Sequence, residues 1–183
     1  FHNIANVAPD LAARTVVVNG LSKSHAMTGW RIGYAAGPKE LIAAMQMVQD
    51  QSTSNANSIT QKAAVAALTG PQDELVKMVE AFRKRRDLLV SGLNAIKGIT
   101  CRMPEGAFYV FPDVGGLIGR NYKGKQITGS VNLSDILLDD FRVAAVPGEP
   151  FGAEGFLRLS FATSEQVIEK ALGRLRDLVA ALS

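Results

Sequence analysis

Apolar positions along the chain change their spacing several times, and each change marks an element. "TVVVNG" (15–20) is a short β-branched run whose even hydrophobicity predicts a strand covered on both faces, as in a parallel sheet. "RIGYAAG" (31–37) reads as a second strand, and Gly37-Pro38 opens a helix running to about Gln49, with Pro38 in its first turn. "QSTSNANS" (51–58) is a polar loop. Ser58 and Gln61 have capping-box spacing, which predicts a helix over 59–69 that stops at Gly70-Pro71. From about 72 to 96 an apolar stripe runs through Leu75, Val79, Phe82, Leu89, Leu93 and Ile96. Arg86 fills the remaining seam position, where it snorkels or pairs, and Gly98 suits the C-cap.

The second half has a different texture. "GITCRM" and "AFYVFPDV" read as strands joined through Pro104-Glu105-Gly106, followed by a short helix in "NLSDILLDDF" and a strand in "RVAAVPG". "FLRLSFA" (156–162) alternates with period two, so Phe156, Arg158, Ser160 and Ala162 share one face. Thr163 and Gln166 repeat the capping-box spacing before a terminal helix with Val167, Ile168, Ala171, Leu172, Leu175, Val179 and Leu182 facing inward. The expected organisation is α/β, with residues 1–75 a piece of a sheet domain, 76–97 a long connecting helix and 98–183 a compact α+β domain.

Composition narrows the partners. Of 183 residues 47% are hydrophobic and 20% charged, a balance that buries a core, and a net charge of +3 is too weak to argue for nucleic acid. The basic run "RKRR" (83–86) reads as a solvated helix face. No apolar stretch is long enough for a membrane span. Cys101 is the single cysteine, so no internal disulfide forms, and a cytoplasmic location is expected. No metal site is expected, because His2, His25 and Cys101 lack ligand spacing. "GRNYKGKQ" (119–126) nearly matches a phosphate-binding loop, but Gln126 stands where a hydroxyl is needed, so it reads as a flexible loop.

The candidate chemistry lies at 22–34, "SKSHAMTGWRIGY". Lys23 follows a strand at the kind of turn where α/β proteins place ligands, and a lysine there can act as a Schiff-base nucleophile. Arg31 offers a planar fork for phosphate oxygens. From the residues alone, a pair of surface cations beside a loop is an equal reading.

The unbroken register Ser22-Lys23, Met27-Thr28-Gly29-Trp30-Arg31 and Gly33-Tyr34 resembles the cofactor-lysine segment of the class I, fold-type I aminotransferases, in their aspartate aminotransferase subgroup. "PEGAFYVFPDV" (104–114) and "FLRLSFATSEQVIEKALGRL" (156–175) resemble the same family's small-domain strand and its C-terminal strand and helix. The resemblance implies the C-terminal part of the fold-type I transferase fold: the end of the large pyridoxal-phosphate-binding domain plus the small domain. It implies pyridoxal 5'-phosphate as cofactor, with Lys23 carrying the Schiff base and shuttling the substrate proton, Arg31 holding the phosphate and Ser22 assisting. Gly20 occupies the position where other subgroups place a phosphate-binding serine, so no role passes to it. Arg158 maps onto the arginine that grips the substrate α-carboxylate; its structural alternative is an ion pair with an acid on the same sheet.

The implied function is transfer of an amino group between an amino acid, aspartate or glutamate, and a 2-oxo acid, in a homodimer. An aromatic or prephenate aminotransferase is one alternative, and a non-catalytic ligand-sensing or dimerisation module another. The loop at 52–58 is the candidate reach to a neighbouring subunit's phosphate. Segments that would supply the pyridine-nitrogen acid, the stacked aromatic and the glycine-rich phosphate contacts are missing from the resemblance. The chain is therefore expected to be part of a longer protein and inactive alone.

Overall fold

The computed structural model describes residues 2–183. They divide into two compact units, up to Val76 and from Lys77 onward.

In the first unit a short helix α1 (Ile4–Val7) and a 3-10 turn (Pro9–Arg14) lead into β1 (Val17–Gly20), a one-turn helix α2 (Leu21–Ser24), a 3-10 turn (Thr28–Trp30) and β2 (Gly33–Ala36). Two longer helices follow, α3 (Lys39–Ser52) and α4 (Ser58–Thr69). β1 pairs with β2 antiparallel, from Val17↔Ala36 to Gly20↔Gly33, and Val18 is 75% exposed. Among the described residues the pairing of β1 is antiparallel, where a parallel neighbour was expected. Apolar spacing reports which residues favour burial, and carries no information on the direction of the neighbouring strand. The N-cap of α4 is Asn57, whose Oδ1 accepts from the backbone N–H groups of Ile59 and Thr60, one residue before the expected Ser58.

The second unit holds most of the core. α5 (Asp73–Asn94) enters it and is followed by β3 (Tyr109–Val110), a hairpin of β4 (Asn121–Tyr122) and β5 (Lys125–Gln126), α6 (Ser130–Asp139), β6 (Val146–Pro147), β7 (Leu157–Ser160) and α7 (Glu165–Ala180). The sheet order is β3-β7-β6, antiparallel throughout. Leu93, Leu133, Leu137, Leu157 and Leu178 are essentially inaccessible to solvent. Each contributes about 1.5–3 kcal/mol of burial. Gly92 allows α5 to lie close to α7, since a Cβ there would run into the Leu172 side chain.

Several local expectations shift. "GITCRM" is no strand beyond a single bridge, Thr100↔Asp113. Asn94 takes its place as partner: its side chain donates to the Cys101 carbonyl (2.9 Å) and accepts from the Cys101 N–H (2.7 Å). α5 accordingly ends at Asn94, and Gly98 (φ +87°) turns the chain after it. Ser164, not Thr163, caps α7. Val167 is 52% exposed and Leu178 replaces it inside. The 119–126 segment is a tight hairpin with Lys123 and Gly124 at positive φ, where a flexible loop was expected. In the basic run, Arg86 pairs with Asp87 (2.8 Å) and donates to the Pro104 carbonyl, and Arg83 pairs with Glu80.

One carboxylate ties the loop before β7 to α6. Glu154 accepts from the Ser130 N–H (2.6 Å) and its hydroxyl (3.0 Å), at the first turn of α6. The Ser130 and Gly155 backbone N–H groups and the Ser130 hydroxyl hold its carboxyl below the usual glutamate value of 4.5. Its contribution to stability is thus fully present above 4.5 and lost as pH falls through the lower folded value. Glu154→Gln is expected to unfold at lower urea than the parent at pH 7, with the gap closing in acid. A gap equally wide on both sides of that range would show that the charge plays no part.

Candidate functional site

Residues 21–32 form a loop whose base is the last pair of the β1–β2 ladder, Gly20↔Gly33. A Cβ on Gly33 would stand 3.0 Å from the Asn19 carbonyl, so the two strands meet closely there. α2 is anchored from inside: Leu21 (1% exposed) and Met27 bury against Ala64 of α4, flanked by Ile32, Ala63 and Ala67. With Leu21 turned inward, the next three residues remain near the surface. Ser22, Lys23 and Ser24, together with Asn19 and Gly20, line an open pocket of about 540 Å³.

The far end of the loop is shaped by its backbone. Arg31 ends the Thr28–Trp30 turn in the left-handed conformation (φ 50°, ψ 54°), uncommon for a residue with a Cβ. Its Nη1 donates to the Thr28 carbonyl at 3.0 Å. Arg31 is exposed and lies outside the pocket lining, so Lys23 and Ser22 share one opening and Arg31 sits elsewhere on the same loop. Trp30 is 45% exposed. Nδ1 of His25 lies 2.9 Å from the Ser24 hydroxyl, while its Nε2 is enclosed and meets no hydrogen-bond partner among the described residues.

This donor set suits pyridoxal phosphate in kind. The lining offers an amine and two hydroxyls and contains no carboxylate, and a guanidinium stands on the same loop. An anionic phosphate and an aldehyde need those groups.

In the second unit Arg158 lies on β7, half-buried and opposite Val146 of β6. Alternation turns Leu157 and Leu159 into the core and leaves Arg158 and Ser160 on the other face. Among the described residues the Arg158 side chain makes no ion pair or hydrogen bond. Its contacts are two aromatic rings, with its Cζ 4.6 Å from the Tyr109 centroid and 5.0 Å from that of Phe151. The acid on the same sheet that a structural role would call for is absent among these residues.

Tyr109 and Phe151 were missed by sequence reasoning. A faint signal exists, an aromatic residue inside the Gly/Pro-rich stretch "PGEPFG". Among the described residues no group of His, Cys, Asp or Glu could hold a metal ion, and no helix is long and apolar enough to cross a membrane.

Similarity to known proteins extends over both units. The family model described as aminotransferase class I and II matches residues 1–175. An aspartate aminotransferase of Rhizobium meliloti (strain 1021) is 54% identical over 172 residues, which cover 93% of this chain and 42% of that protein. An aspartate/prephenate aminotransferase of Nitrosomonas europaea is 51% identical over 181 residues, covering 98% and 46%. The crystal structure of an aspartate aminotransferase from Rhizobium meliloti superposes with a TM-score of 0.94 at 51% identity, over all of this chain and 46% of that one. The chain therefore spans less than half the length of these relatives, and its architecture is the corresponding part of the fold-type I transferase fold. With a family model matched over residues 1–175 and identities above 50%, the chain belongs to the class I and II aminotransferases.

Proposed function

We propose that these residues form the cofactor-lysine and carboxylate-binding portion of a pyridoxal-phosphate-dependent aminotransferase that acts on aspartate or glutamate and a 2-oxo acid. The observation that carries the reading is the loop at 21–32, which keeps Lys23 at an open pocket by burying Leu21 and Met27 beneath it. In this reading residues up to about 75 belong to the large cofactor domain, 76–97 are the connecting helix and 98–183 are the small domain. The working protein is a homodimer in the cytoplasm. The 183 residues by themselves are inactive.

When bound, pyridoxal phosphate supplies an aldehyde for an amine and a ring that withdraws electrons. Nζ of Lys23 holds the cofactor and is the atom that takes and returns the proton of the substrate α-carbon. Ser22 adds a hydroxyl beside it, and the Arg31 fork neutralises the phosphate. Arg158 receives the α-carboxylate; with no acid partner among the described residues its N–H fork is available. A prephenate-type substrate is a second reading, favoured by the aspartate/prephenate name of the Nitrosomonas relative.

The test is borohydride reduction of the chain equilibrated with pyridoxal phosphate, followed by peptide mass mapping. A pyridoxyl group concentrated on the Lys23 peptide is the expected outcome. Labelling spread evenly over exposed lysines, in this chain and in one extended to the relatives' length, would overturn the reading.

A further inference from the structure

Two aromatic rings from different elements stand against Arg158. Tyr109 sits opposite Ser160 across the β3–β7 pair, which places its ring diagonal to Arg158 on the same sheet face. Phe151 comes from a different element, the 3-10 turn Glu149–Phe151 between β6 and β7. That turn is fixed on two sides. Phe111 meets Phe151 edge to face at 6.3 Å and stacks on Phe156 at 5.2 Å. Glu154 ties the following residues to Ser130 of α6. Phe151 is 53% exposed and its ring centroid lies 5.0 Å from the Arg158 Cζ.

We propose that Tyr109 and Phe151 are positioning residues, an aromatic clamp that restrains the Arg158 guanidinium so that its in-plane N–H fork is presented to a small carboxylate. An arginine stacked on rings keeps its edge donors free, because the aromatic contact uses the face of the plane. Restraint then lowers the side-chain entropy lost when the carboxylate binds. The rings also shield the cation without adding a carboxylate that would compete with the ligand. This inference rests on the reading of Arg158 as a carboxylate site.

The probe is succinate, which carries carboxylates and no amine, titrated into the whole chain labelled with 15N. The Arg158 Nε–H resonance is assigned by its loss in Arg158→Lys. In the parent it is expected away from the other arginines, shifted by the ring currents, and to move on adding succinate. Phe151→Leu, an exposed and conservative change, should return the resonance toward the others and weaken succinate about three- to fivefold, the equivalent of one exposed cation–π contact. Phe151→Tyr should restore both. A resonance and an affinity unchanged in Phe151→Leu would overturn the clamp while leaving the carboxylate role intact. A resonance that responds to Phe151→Leu but never to succinate would remove the carboxylate role, and the proposed purpose of the clamp with it.

Discussion

Replacing Lys23 with alanine is expected to abolish the borohydride-stable pyridoxyl adduct, leaving only the background shared by other exposed lysines. The side chain is at the surface of α2, whose burial comes from Leu21, so the variant should keep the parent's circular dichroism and differ only in chemistry. No neighbouring residue in the pocket lining can substitute, because Ser22 and Ser24 offer hydroxyls and Asn19 an amide. In a protein of the relatives' length carrying this segment, the lost proton transfer alone should cost about 10²–10⁴ in turnover. Adding a small primary amine should recover part of it. An adduct formed in equal yield at another lysine of the variant would remove Lys23 from the proposed site.

How much of this was legible in the sequence depends on how local the determining interactions are. Lys23, Arg31 and the two glycines that close the loop lie within fourteen residues of each other, so one short motif carries these residues, while the α4 alanines beneath Leu21 and Met27 lie outside it. The alternation that sets Arg158 apart from Leu157 and Leu159 is equally local. Strand direction was not legible, because β1 and β2 have the same apolar texture in either orientation. Nor were the exact caps, since Asn57 and Ser164 compete with neighbouring hydroxyl residues for the same backbone N–H groups. The failed strand at "GITCRM" shows a third limit: a single asparagine, Asn94, satisfies the backbone of Cys101 that a strand neighbour would otherwise claim. The partners of Arg158 were the least visible, since Tyr109 lies far upstream and Phe151 in a turn before β7, and they meet it only through the sheet and that turn.

Arg31 allows a separation of backbone strain from charge that few positions permit. Arg31→Leu and Arg31→Gly both delete the guanidinium and its bond to the Thr28 carbonyl, but only glycine accepts φ 50° without a Cβ penalty. The glycine variant is therefore expected to be more stable than the leucine variant by about 1 kcal/mol. Urea unfolding followed at Trp30, the single tryptophan and the immediate neighbour, would read that difference. Binding should behave otherwise. Both variants are expected to need about 10–100 times more pyridoxal phosphate for half-maximal trapping at Lys23, the equivalent of losing charge-assisted hydrogen bonds to phosphate. Pyridoxal, which lacks the phosphate, should label parent and variants alike. If the two variants lost phosphate selectivity yet unfolded at the same urea concentration, the charge role would stand and the strain would be too small to matter. If pyridoxal and its phosphate lost ground equally, Arg31 would be a structural residue of the turn. A chain that holds an arginine in a conformation glycine would adopt more cheaply is retaining it for the guanidinium, and the selectivity ratio tests that directly.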